Sequence, residues 1–152
     1  MDITLEQGLA SAIRYIQDNT AEGTEYYFGE IPEDYKVPSI YFQPPYTTGD
    51  KATLRSYRTR ATLNVWFMNA QTWDAQKLAH DMMERIMLDD CIFHIVNVEG
   101  EKLERGLRVT EPETRKIENG IVQLAFSFDA YFHPEKDAPK IQKFYTEMQR
   151  KK

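Results

Sequence analysis

Residues 53–69 read TLRSYRTRATLNVWFMN, and their alternation decides the fold. Tyr57, Thr59, Ala61, Leu63, Val65 and Phe67 fall on one side, and Arg58, Arg60, Thr62, Asn64, Trp66 and Met68 on the other. A period of two belongs to a β-strand with one face turned to a core and a more polar face behind it. At ~3.3 Å per residue this stretch would run about 55 Å if straight, well beyond an ordinary strand. It is therefore expected to bend, to bulge, or to project past the domain body as half of a long hairpin.

Downstream, Thr72 is expected to cap a helix over roughly 73–88. Trp73, Ala75 or Lys77, Leu78, Met82, Ile86 and Met87 keep helical period there, and Asp74 sits in the favourable first turn. Residues 91–98 (CIFHIVNV) read as a strand, Gly100 as a turn, and Leu107-Arg108-Val109 as the start of another strand. Pro112 makes residues 114–117 an edge or a new segment. Asn119-Gly120 is a hairpin signal. The returning strand, 121–132, places Val122, Leu124, Phe126, Phe128, Ala130 and Phe132 on one side.

Upstream, Asp2 and Thr4 are candidate caps for a helix over roughly 3–19, with Leu5, Leu9, Ile13 and Ile16 as its apolar stripe. Residues 25–31 and 37–43 read as short strands, punctuated by Pro32 and Pro44-Pro45. Residues 47–51 (TTGDK) carry turn chemistry. Beyond His133, residues 134–139 read as a linker. Residues 140–152 read as a short amphipathic helix with Ile141, Phe144, Tyr145 and Met148 on one face and a basic end. Such a helix is marginal unless it docks. The order predicts an α+β two-layer sandwich, a mainly antiparallel sheet with two helices on one face. Residues 1–133 form the domain and 134–152 a C-terminal linker and arm.

The 152 residues make room for one domain that needs no disulfide or metal staple. The lone Cys91 excludes an intrachain disulfide and a CxxC zinc pattern, and fits a reducing compartment. The N-terminus lacks the basic and apolar regions of a signal peptide, and no run is long enough to span a membrane. A net charge of −5 argues against general nucleic-acid binding.

Motifs for chemistry are sparse. His80 and Glu84 stand four apart beside Asp81, but without a third converging ligand they read as neighbours on a solvated helix face. Cys91 and His94 fall on opposite faces of their strand and make no dyad; Cys91 reads as a small core residue. Asp89-Asp90 reads as a solvated turn, and His133 needs no special role. Phosphate-cradling glycine motifs and a nucleophile elbow are absent from the sequence. Arg55, Arg58 and Arg60 admit two readings of equal weight. They make either an interface for an anionic partner or subunit, or cross-strand pairs with acids of a neighbouring strand. Trp66 and Met68 on the more polar face suit an interface core, unless that face is also covered.

EIPEDYKVPSIYFQPPY (30–46), SYRTRATLNVWFMNA (56–70), TWDAQKLAHDMMERI (72–86) and ENGIVQLAFSFDAYFHP (118–134), after a short opening helix, resemble the tail terminator proteins of long-tailed bacteriophages and prophage-derived particles. The resemblance covers most of residues 1–133. It implies a non-enzymatic virion subunit without cofactor, assembled in the bacterial cytoplasm and located at the tail or neck. It implies a homo-oligomeric ring, commonly a hexamer, that caps the head-proximal end of the tail tube, stops its growth and meets the head connector. The partners implied are the tail tube protein, a head-completion protein and, in a contractile tail, the sheath. Neither a membrane nor sequence-specific nucleic acid is implied. A ring subunit needs two different patches. Arg55, Arg58, Arg60, Trp66 and Met68 are the candidates on the long strand, and Phe144 and Tyr145 on the arm. The alternatives are a head- or tail-completion adaptor of the neck and, from another class, a small enzyme or ligand-binding domain. The last would draw on His80, Glu84 and Cys91.

Overall fold

A computed structural model describes residues 3–132. The elements are α1 (Leu5–Asp18), β1 (Glu25–Phe28), β2 (Ser39–Phe42), β3 (Tyr46–Lys51), β4 (Tyr57–Met68), α2 (Thr72–Leu88), β5 (Ile92–Val96), β6 (Lys102–Arg108), β7 (Thr110–Glu118) and β8 (Ile121–Phe132). The expected arm over 134–152, with Phe144 and Tyr145, lies outside the described residues.

The main sheet runs β1-β2-β4-β8-β7. β3 is also bonded to β4, along Tyr57–Thr62, while β2 bonds Val65–Met68 of the same strand. Only β1 and β2 run parallel; the other pairs are antiparallel. β4 and β8 pair along their full length, from Tyr57↔Phe132 to Met68↔Ile121. Their inward residues are the alternating set read from the sequence. Ala61, Leu63, Val65, Phe67, Val122, Leu124, Phe126 and Phe128 are all buried in one cluster with Ala12 and Ile16 of α1 and Ala75, Ala79, Met82 and Ile86 of α2. The helices thus cover one face of the sheet, and the fold is the expected α+β two-layer arrangement. The β5–β6 hairpin forms a separate two-stranded sheet on the same side. It is keyed in by Phe93, whose ring stacks on Tyr15 at 4.2 Å and meets Phe126 edge-on at 5.6 Å.

Local chemistry sets the ends of the elements. The Thr4 hydroxyl accepts the Gln7 N–H at 3.1 Å while the Gln7 side chain accepts the Thr4 N–H at 3.2 Å, so α1 starts on a reciprocal cap. Ser11, buried on α1, donates to the Gln7 carbonyl at 2.7 Å and accepts the Val96 N–H at 3.0 Å, which ties the helix to β5. Gly8 lets α1 sit directly on the Phe128 ring. At the β7–β8 turn Gly120 takes a left-handed φ of 81°.

Several expectations are corrected. Residues 47–51 lie in a strand, because pairing along β4 overrides the turn preference of Gly49-Asp50. The residue capping α2 is Gln71; the Thr72 hydroxyl instead accepts the Gly120 N–H at 2.9 Å and anchors the β7–β8 turn. Trp73 is 83% exposed, and Leu78 and Met87 are also exposed. The buried stripe of α2 is Ala75, Ala79, Met82 and Ile86, since small residues let the helix lie close to β7 and β8. Cys91 precedes its strand with a left-handed φ of 58°. Pro112 does fall on an edge strand, at a register break between Thr110 and Glu113 of β7.

Candidate interaction surface

With the helices on one face of the sheet, the opposite face carries the outward residues of β4. Among the described residues no helix lies over it. Near one end the loop between β1 and β2 brings Ile31 and Tyr35 against Tyr41, Met68 and Ile121. Met68 is therefore fully buried inside the chain, and Trp66 is partly buried beside it. Trp66 meets Tyr41 edge-on at 5.5 Å and donates its indole N–H to Gln123 Oε1 at 3.1 Å. Part of this face is covered, as the sequence allowed, but a loop covers it and not a helix.

The arginines separate into two kinds. Arg58 faces Asp50 across the β3–β4 ladder and binds it with both ends of its guanidinium, Nε lying 3.0 Å from Oδ1. The Arg58 hydrogen bond holds the Asp50 carboxyl below the usual carboxylate range. Arg60 faces Asp129 across the β4–β8 ladder. Its guanidinium reaches Thr110 Oγ1 at 3.0 Å, Glu111 Oε2 at 3.4 Å and Asp129 Oδ1 at 3.5 Å. Cross-strand pairing thus accounts for Arg58 and Arg60. Thr62 and Ser127 continue the polar ladder at 2.9 Å.

Arg55 is different. It lies in the turn between β3 and β4, which closes by Ala52 N–H donating to Ser56 O at 3.0 Å and by the paired hydroxyls of Thr53 and Ser56 at 2.6 Å. Among the described residues no carboxylate lies within ion-pair distance of Arg55 or of Lys51. All six residues of β3 are exposed, and among the described residues no strand lies beside the edge of β3 away from β4. Over Tyr57–Thr62 the long strand is paired on both sides, by β3 and by β8, and Ser56 just before it is buried. The tip is apolar as well as cationic, with Leu54 88% exposed and Tyr57 and Tyr131 partly exposed behind it, while Tyr46, 66% exposed, stands at the far end of β3 opposite Thr62. Sequence reasoning missed Tyr46, Leu54 and Tyr131. The signal was faint, an aromatic directly after Pro44-Pro45 and a leucine inside a turn.

The residues considered for chemistry do not converge. His80 Nε2 and Glu84 Oε1 are 2.9 Å apart on the exposed side of α2. No group of three or more metal-ligating side chains occurs among the described residues. Cys91 packs at the border of the core. Asp89, read as a solvated turn, accepts the Tyr15 hydroxyl at 2.6 Å. Burial first, and then this bond, push the Tyr15 phenol above its ordinary value. No helix of the described residues is long and apolar enough to cross a membrane.

No family model matches the chain. It is 23% identical over 117 residues to the phage-like element PBSX protein XkdJ of Bacillus subtilis (strain 168), covering 76% of this chain and 80% of that protein. It is 25% identical over 118 residues to the protein YqbJ of the same organism, covering 78% of this chain and 81% of the relative. A chain in the virion of a native gene transfer agent particle overlays 85% of this chain and 100% of its own length, with 14% identity and a TM-score of 0.46.

Proposed function

We propose that this chain is a structural subunit of a phage or phage-like particle, and within that class a tail terminator. Its likeness to a phage-like element protein over most of both chains supports the particle reading. The observation in the structure that carries a contact role is the β3–β4 hairpin. All of β3 is exposed and, among the described residues, no strand pairs with its outer edge, a surface suited to meeting another chain. Copies would join head to tail in a closed ring, each offering two different patches. The ring would cap the head-proximal end of the tail tube and receive the head-completion protein. No catalytic step is part of this role.

Electron microscopy of particles assembled without the protein tests the reading. Over-long tails are expected, because tube growth would lack its stop. Tails of normal length detached from full heads would assign the chain instead to a neck adaptor. Triple replacement of His80, Glu84 and Cys91 by Ala is expected to leave assembly intact; a loss would reopen the enzyme reading.

A further inference from the structure

We infer that the tip of the β3–β4 hairpin docks on the acidic end of the main sheet of a second copy, formed by β1 and the β1–β2 loop. This rests on the head-to-tail reading above and names the two surfaces that would make it.

The two ends of the chain have opposite character. Residues 46–60 carry Lys51, Arg55, Arg58 and Arg60 against Asp50, a net charge of +3 in a protein whose total is −5. Arg58 and Arg60 are held by acids of their own sheet, while Lys51 and Arg55 stand exposed at the tip. Exposed Leu54 and Tyr57 supply apolar surface beside them. Residues 22–36 carry Glu22, Glu25, Glu30, Glu33 and Asp34 against Lys36, a net charge of −4. All five acids are exposed, and Phe28 (54%) and Val37 (42%) lie open among them.

These surfaces lie far apart on one molecule. The tip adjoins Tyr57 at the start of β4, whereas β2, which carries the acidic loop at its start, pairs with Val65–Met68 at the end of β4. Tyr57 and Met68 are eleven strand steps apart, about 36 Å. A chain cannot join its own two ends over that span, but a second copy placed head to tail can. Opposite charge sets the register and speeds the encounter, and the exposed Leu54, Tyr57, Phe28 and Val37 give the contact an apolar centre. The occupant is a second copy because the tip and the acidic end are opposite in charge and both carry exposed apolar groups.

A charge exchange on the full-length chain tests this. Lys51→Glu with Arg55→Glu reverses the tip, and Glu33→Lys with Asp34→Lys reverses the loop; all four side chains are exposed, so unchanged thermal melts confirm folding. Sedimentation velocity reads the association. Each half-exchange is expected to weaken association about tenfold or more, and the chain carrying all four changes to recover it. Half-exchanges that associate like the parent, or a fourfold variant that fails to recover, would overturn the assignment while leaving the ring intact. A parent chain that stays monomeric at high concentration would instead remove the ring itself. The basic residues beyond the described region are the competing occupant of the acidic end. Changing Lys140, Lys143, Arg150, Lys151 and Lys152 to Gln is expected to leave association unchanged; a loss equal to that of the loop exchange would give the acidic end to that segment and overturn the proposal.

Discussion

At the residue scale, Gly120 in the β7–β8 turn is constrained by both its backbone and its neighbours. Its φ of 81° disfavours any side chain, and a Cβ there would stand 2.6 Å from the Asn69 carbonyl oxygen. Its carbonyl accepts the Asn69 N–H at 2.9 Å and its N–H is held by Thr72, so the turn cannot move away without breaking both bonds. A left-handed alanine costs about 1–2 kcal/mol, and the overlap adds a similar amount, so Gly120→Ala is expected to lower stability by about 2–4 kcal/mol in urea unfolding. Tyr15 gives a pH dependence. Its folded phenol titrates above the ordinary value, chiefly from burial and then from the bond to Asp89. The unfolded chain loses that proton near pH ~10 while the folded chain keeps it, so the stability from this group is complete below that pH and falls as pH rises through the folded value. Phenolate absorbance is expected to show a step later than that of a free phenol, and Tyr15→Phe to remove it. A variant with an unaltered titration would place the late step elsewhere.

At the element scale, the contrast between the two helices decides two further substitutions. Gly8 of α1 lies where an added Cβ would stand 2.2 Å from the Phe128 ring. Alanine would gain about 1 kcal/mol of helix propensity, but an overlap this deep in a packed core costs about 1–3 kcal/mol. Gly8→Ala is therefore expected to be neutral to destabilising, never stabilising, by chemical denaturation. Trp73, on the open side of α2, is expected to change stability by less than about 0.5 kcal/mol when replaced by Ala, although the sequence pattern places it on the apolar stripe. The same contrast explains which elements the sequence reveals. β4 and β8 are legible because each alternates over a dozen residues and buries one face, and α1 because its stripe is aliphatic. β3 is hidden because YTTGDK buries nothing; its pairing with β4 makes it a strand, and that pairing is a long-range fact. α2 is legible as a helix but not by face, since its buried positions include two alanines that carry little hydropathy against Trp73 and Met87. Of the candidate surface, Arg55 alone among the arginines keeps an open side chain. The partners of Arg58 and Arg60, Asp50 and Asp129, come from strands whose register local pattern does not specify.

At the scale of the whole molecule, stability is graded along the sheet. Leu63, Val65, Leu124 and Phe126 are at most 1% exposed, and the β4–β8 pair joins them between both helices and the neighbouring strands. At the other extreme, β3 has no core beneath it and holds to β4 by its ladder and the Arg58–Asp50 pair. Backbone amides exchange at rates set by the local opening that exposes them, and opening a surface hairpin needs far less free energy than global unfolding. In dilute protein, amides of β4 and β8 over residues 61–68 and 121–128 are expected to exchange slowest, and those of β3 much faster. Amides of β3 on the edge away from β4 are expected to exchange almost as in a free chain. If copies join through the hairpin tip, raising the concentration should protect residues 46–56 together with residues 25–36, and leave the β5–β6 hairpin unchanged. Protection confined to β3 would point to edge pairing without the acidic end, and protection of β5–β6 would place the contact on another side of the molecule. The gradient thus makes the proposed contact visible where the isolated chain is least stable and an added partner has most to contribute.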